Sequence, residues 1–481
     1  MSPEAEACES PRARAGPRRP RGGTAAAFLA VSLVAAGALP SAAQTPPALP
    51  DRFTPAEAVR RALATYPEAG VARAEAREAG EALAEAEAGL LPRIDLLGSV
   101  MRFSEPMVVT PIHRLDFQDL PEFDETLIQG DLRLEHTLYD GGAARGAVAA
   151  AEARAGAAGE GAEAVEQALA ARTLEAYLRV LGLDAVLAAA DRRIEAVSAE
   201  RGRVAQLLEV GRAPEVDLFR AEAALAAARA DRVRVATALE TAERELARLV
   251  GAEAGETAAG RLAPVALAGD AVELPPRQAL EARLEETPAV ARARAALAAA
   301  EAALEVARGT RRPRLALVGD VKEYGSSDGH AETEWNAGLQ VAVPVFRGGA
   351  LAARAAEAGA ARDAAAERLR LARLEARREL DRALASLAEA RARSEALEVA
   401  VAQYEEVVRV EALRLEAGAG VQADYLDAEA KLLDARAAQV EAGNGVIGAR
   451  IEIARVTGEL GPAWVEGTLV PREEPGEEEE P

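Results

Sequence analysis

The sequence is poor in the residues that usually carry chemistry. It has one cysteine, Cys8, in 481 residues. A single thiol excludes an intrachain disulfide framework and a thiolate metal site. Three histidines, His113, His136 and His330, lie far apart and lack ligand spacing, so a histidine metal site is not expected. Aromatic residues make up only 3% of the chain, which excludes a bulky aromatic core and favours helices packed closely through small residues. Basic residues are outnumbered: 57 Lys and Arg against 79 Asp and Glu leave a formal net charge of -22. Nucleic acid is therefore not an expected partner, because it needs a basic face. Proline is absent between Pro121 and Pro214 and again between Pro344 and Pro462. No nucleophile–base pair, carboxylate constellation or phosphate loop of the form G-x4-G-K-[ST] is present, so an enzyme and a cofactor are not expected.

Long apolar runs are also scarce. The one that stands out, Thr24–Leu39, follows Arg12, Arg14, Arg18, Arg19 and Arg21 and precedes Ser41 and Ala43 at cleavage spacing. This is the pattern of a secretory signal peptide over 1–43, and at 16 residues it is short for a membrane span. A mature chain starting near Gln44 is expected to leave the cytoplasm.

The chain is written twice. LEVGRAPEVDLFRAEAALAAAR (Leu208–Arg229) and LEAGAGVQADYLDAEAKLLDAR (Leu415–Arg436) agree at ten of 22 positions, 207 residues apart. YDGG at Tyr139–Gly142 matches FRGG at Phe346–Gly349 at that offset, as ARLVG at Ala247–Gly251 matches ARVTG at Ala454–Gly458. Upstream, LPRIDLLGSV (Leu91–Val100) matches RPRLALVGDV (Arg312–Val321) at an offset of 221. The register therefore changes by 14 residues between Val100 and Leu132, where a surface loop of different length is expected. The organisation is 44–251 as a first repeat, 252–278 as a linker, 279–458 as a second repeat and 459–481 as a tail, acidic and disordered at its end.

Each repeat reads helix, strand, loop, strand, long helix, turn, helix. Pro92 and Pro313 sit where helix gives way to extended chain. Ile94, Leu96, Gly98 and Val100 alternate with Arg93, Asp95 and Ser99, and Leu132, Leu134 and Leu138 alternate with Asp131, Arg133, Glu135 and Thr137. Leu315, Leu317, Gly319 and Val321 share a face in the second repeat, as do Trp335, Leu339, Val341, Val343 and Val345 opposite Glu334, Asn336 and Gln340. Such period-two patterns mark strands with one apolar and one wet face. The acidic stretch Ser104–Thr126 reads as an exposed loop. Gly141, Gly142, Gly348 and Gly349 allow the chain to swing from strand into helix. Helices over Ala143–Val210 and Ala350–Ala417 would each run about 100 Å and must lie along neighbours.

Strands of this length in an exported chain favour a membrane barrel, with polar residues inward. Four strands cannot close a barrel alone and open edges cannot face lipid, so two chains would supply 8 strands or three would supply 12. The alternative is a non-channel periplasmic coiled-coil scaffold or adaptor, which explains the helices and the signal but not the four amphipathic strands.

FTPAEAVRRALATYPE, LLPRIDLLGS, LYDGG, VPVFRGG and the two G-x5-D turns, in this doubled order, resemble the TolC-like outer-membrane efflux proteins, from about Arg52 to Gly461. The resemblance implies a homotrimer, with a twelve-stranded outer-membrane barrel continuous with a helical tunnel in the periplasm. It implies passive export with an inner-membrane transporter and a periplasmic adaptor. It places the turns at Gly211 and Gly418 at the periplasmic tip, Asp424 and Asp427 in the ring that narrows the entrance, and Asp217 where an aspartate holds the tip shut. A tyrosine and an arginine complete that lock in the family; Leu415 and Gly420 stand at their positions here, with Arg212 or Arg414 as substitutes. Six carboxylates around one axis would favour cations: a pair ~8 Å apart interacts by about 2 kcal/mol at an effective dielectric of ~20. The simpler role for Asp217 and Asp424 is helix N-capping.

Overall fold

The computed structural model describes residues 52–113, 121–269, 273–329, 331–417 and 419–471. The signal-peptide assignment, Cys8, His330, Gly418 and the acidic end of the tail fall outside these residues. What is described belongs to one compact unit, Ala48–Pro481.

The first repeat opens with α1 (Pro55–Thr65). Thr54 starts this helix as a capping box: its hydroxyl accepts from the Glu57 amide while the Glu57 carboxylate accepts from the Thr54 amide. Pro67 begins α2 (Pro67–Ala88), and Pro92 immediately precedes β1 (Arg93–Val108). β2 (Phe123–Tyr139), α3 (Ala143–Glu209) and α4 (Glu215–Val250) complete the repeat. A short strand β3 (Val265–Leu267) leads to α5 (Arg277–Arg283) and the second repeat. That repeat is α6 (Pro288–Gly309), β4 (Arg314–Ser326), β5 (Ala331–Ala342), α7 (Ala350–Glu416) and α8 (Gln422–Val456), with α9 (Pro462–Thr468) and β6 (Leu469–Pro471) after it. The long helices α3 and α7 are 67 residues each, equal across the duplication. β3 and β6 pair antiparallel.

The four long strands form one antiparallel sheet in the order β1-β2-β4-β5. The two hairpins are thus joined through β2 and β4, leaving one side each of β1 and β5 unpaired among the described residues. Two expectations are corrected. The acidic stretch Ser104–Thr126 is not all loop: β1 continues to Val108 and β2 begins at Phe123, with Met107 paired to Asp124. The register shifts between Arg102 and Met107, around Pro106, which has no N–H to give the ladder. Conversely, β5 ends at Ala342, so Val343 and Val345 are outside it. Their alternation continues a strand pattern, but Pro344 cannot donate to a neighbouring strand.

Small residues let the helices approach closely. α3 packs along α2 and α6 over one stretch and along α4 and α8 over the next, while α7 packs along α6 and α8. The main core lies midway along α3, where Leu169, Leu174, Tyr177 and Val180 meet Phe53, Val59, Leu246, Val250, Ile451 and Val465. The Tyr177 ring sits 6.2 Å from that of Phe53, and its hydroxyl lies 2.6 Å from the Phe53 carbonyl and 2.8 Å from that of Ala263. A second cluster packs Leu380 of α7 against Leu280, Val290 and Val456.

Candidate functional site

The sheet has two chemically opposite faces. Residues paired across strands share a face. Leu96, Leu132, Val321 and Trp335 form one row, and Ile94, Leu134, Gly319 and Ala337 the next. This face is apolar yet open: Leu96 is 71% and Trp335 76% exposed. A surface of this kind needs lipid or protein against it. The opposite face is polar row by row. Asp95, Arg133, Asp320 and Asn336 lie across from one another, and the next row is Leu97, Asp131, Lys322 and Glu334. The charges are knitted together. Arg133 reaches Asp131 at 2.7 Å, Arg93 reaches Asp95 at 2.8 Å, and Asn336 donates to Asp320 at 2.8 Å. Beyond β1, His113 sits 2.5 Å from Glu334 on β5, across the polar face. Strand alternation marked this wall; the His113 contact, spanning 221 residues of sequence, depends on strand order and was not legible.

At the strand-to-helix junctions, Gly141 and Gly142 have φ of 75° and 91°, and Gly348 and Gly349 have 58° and 83°. Gly141 also has no room for a side chain: a Cβ would lie 2.6 Å from the Gly309 carbonyl oxygen. Asp140, not singled out from the sequence, satisfies the start of α3 by accepting from the amides of Gly142 at 2.9 Å and Ala144 at 2.6 Å. An acid three residues before the first residue of a helix was the signal for it.

The other ends of the long helices carry the two turns. Gly211, with φ 72°, closes the α3–α4 turn, and the Arg212 amide reaches back to the Leu207 carbonyl at 2.7 Å. In the α7–α8 turn the amides of Ala419 and Gly420 both donate to the Arg414 carbonyl. A Cβ on Gly420 would lie 2.8 Å from the Leu415 nitrogen. This turn therefore excludes an arginine at 420 unless its backbone moves. Arg414 is engaged with Glu411 at 2.9 Å, and Arg212 is exposed.

The aspartates flank these turns. Pro214 and Val421 occupy the N-cap positions of α4 and α8, and neither offers a side-chain acceptor. Asp217 and Asp424 sit in the first helical turn instead, which corrects the capping reading; their charge still suits the positive end of a helix. Asp217 accepts from Arg220 at 3.2 Å within its own helix. Asp424 is exposed, and Asp427 is bridged by Lys431 at 2.6 Å. That bond raises the Lys431 ammonium above the usual lysine range. Asp424 and Asp427, three residues apart on α8, share a face; Asp217 belongs to the other hairpin. Just inside the tip, a cleft of 570 Å³ is lined by Glu200, Arg203, Tyr425 and Glu429 among others. Burial raises the Glu429 carboxyl above the usual glutamate range, while Glu200 is buried and bonded to Arg203 at 3.0 Å.

Among the described residues, no group of three acidic, histidine or cysteine side chains could hold a metal ion, and no helix is long and apolar enough to cross a membrane. The last point says nothing of a β-barrel.

Residues 58–252 and 279–459 match the family described as outer membrane efflux protein, one segment in each repeat. No curated protein matches the chain. Among solved structures, a membrane protein from Pseudomonas aeruginosa is similar with a TM-score of 0.70 at 21% identity, over 84% of this chain and 93% of that one. The outer membrane protein VceC from Vibrio cholerae is similar with a TM-score of 0.69 at 19% identity, over 84% and 96%. The CmeC outer membrane channel of Campylobacter jejuni gives 0.69 at 16%, over 89% and 92%. At these identities the likeness is one of fold.

Proposed function

The chain belongs to the outer membrane efflux protein family, a family of transport channels, and from that premise we propose that it forms a homotrimeric outer-membrane duct. In this reading, three copies of the four-stranded sheet close one twelve-stranded barrel, and the helices continue it as a tunnel in the periplasm. The observation that carries the reading is the sheet itself. It has an exposed apolar face, a charged and hydrogen-bonded opposite face, and two open edges. In a bilayer the apolar face meets lipid, the polar face lines water, and each β1 edge pairs with a neighbour's β5, leaving no unpaired backbone in hydrocarbon.

The helices repeat the same logic. α7 leaves Leu371, Leu374, Val399 and Leu413 exposed on one flank, and α4 leaves Val216, Phe219 and Val233 exposed on the other. A ring of copies would cover these flanks pairwise. Asp424 and Asp427 then ring the tunnel entrance, Asp217 stands beside it, and Gly211 shapes one of the tip turns. Lys431 partly neutralises the ring through Asp427. Export is passive, and an inner-membrane transporter with a periplasmic adaptor supplies energy and cargo.

Cysteine cross-linking tests the assembly. Cys8 is the only native cysteine and falls in the expected signal, so single cysteines placed along β1 and β5 report on the edges alone. Pairs with one cysteine on each edge should give a ladder ending at three chains. A ladder ending at two, or no cross-link at any register, would reject the trimeric barrel.

A further inference from the structure

A cavity of 230 Å³ lies where α5, α8 and α9 approach one another, lined by Glu273, Leu280, Arg283, Arg450, Glu459 and Trp464 among others. Arg450, on α8, is only 8% exposed. Its Nε is out of solvent and has no hydrogen-bond partner. The neighbouring charges do not supply one. Glu459 is near enough to favour the charged guanidinium, but its carboxylate is hydrogen-bonded by Arg283 at 2.7 Å and by Thr457 at 3.1 Å. Arg391 adds a second positive charge beside Arg450. Burial, and then Arg391, hold the Arg450 guanidinium below the usual arginine range. An arginine stays charged at any physiological pH, and a buried charge without a hydrogen-bonded counter-charge is strongly disfavoured.

We propose that this cavity is an anion site, in which Arg450 binds a carboxylate or small oxyanion. The planar guanidinium fork matches two oxygens of such a group. The space suits a small ion with its water, since one water occupies about 30 Å³. Two sources share this chemistry. One is a free anion from the surrounding solution. The other is the chain itself: Thr468 lines the cavity, and the sequence runs on after Pro471 into Glu473, Glu474 and Glu477 to Glu480. The site concerns the region beside α9, away from the four-stranded sheet and the tip turns, and does not depend on the channel reading.

The test uses inorganic phosphate at constant ionic strength on the detergent-purified full chain. Trp464 lines the cavity and Trp335 is the only other tryptophan, so a Trp335→Phe background makes fluorescence report on the site. The expected result is a saturable change in Trp464 emission, with a rise of a few degrees in Tm, both lost in Arg450→Met. A silent full chain combined with a responsive chain ending at Pro471 assigns the site to the chain's own glutamates. If neither chain responds, or Arg450→Met responds as the parent does, there is no anion site. Should Arg450→Met fail to fold, Arg450→Lys serves: it keeps the charge but lacks the fork, and should weaken phosphate binding at least tenfold.

Discussion

At the scale of single residues, the fold rests on a few groups that tolerate little change. The Tyr177 hydroxyl lies within hydrogen-bond distance of two backbone carbonyls far apart in sequence, those of Phe53 and Ala263. Tyr177→Phe removes it and leaves the Ala263 carbonyl without this partner, while the Phe53 carbonyl keeps the Ala263 amide, which should cost about 1–3 kcal/mol in chemical unfolding. The paired glycines at the start of α3 separate conformation from space. Both have left-handed φ, but only Gly141 faces a backbone oxygen where a Cβ would go. Gly142→Ala should cost roughly 1–2 kcal/mol, the ordinary penalty for that conformation. Gly141→Ala should cost clearly more, because α3 and α6 must also separate there. Equal losses in the two variants would mean that the contact with Gly309 does not bind these helices.

At the scale of elements, ion pairs add to the close packing of small side chains between helices. Glu285 accepts from Arg373 of α7 at 2.9 Å and from Arg294 of α6 at 3.0 Å. Hydrogen bonds from Arg373, before those from Arg294, hold its carboxyl below the usual glutamate range. The folded state thus binds the proton more weakly than the unfolded chain, so the pair stabilises above about pH 4.3 and loses this effect as pH falls through the depressed folded value. Glu285→Gln should be less stable than the parent at pH 7, and the gap should close in acid; a gap that widens there would reverse the assignment. The elements were largely legible because their periods are simple. Alternation gave both faces of the sheet, and the lack of proline gave α3 and α7. Two errors came from reading composition in place of pairing: the acids of Ser104–Thr126 masked strand ends, and Val343 and Val345 extended a pattern past Pro344. What joins distant segments, His113 to Glu334 or Tyr177 to Ala263, could not be read before the strand order and helix packing were known.

At the scale of the whole molecule, the duplication supplies two equal hairpins of helix and, in the described residues, a sheet of four long strands, so the proposed duct exists only as an assembly. Its selectivity is argued from the tip. Three exposed Asp424 side chains and three Asp427 side chains near one axis should favour cations, with Lys431 damping the second set. Lys431→Met should therefore raise cation preference, and Asp424→Asn with Asp427→Asn should lower it. The most direct test of the account is single-channel conductance of the detergent-purified protein in a planar bilayer, with its mass measured on the same sample. The account predicts a trimer whose conductance prefers cations and whose preference falls when both aspartates are neutralised. A water-soluble monomer without conductance would contradict it.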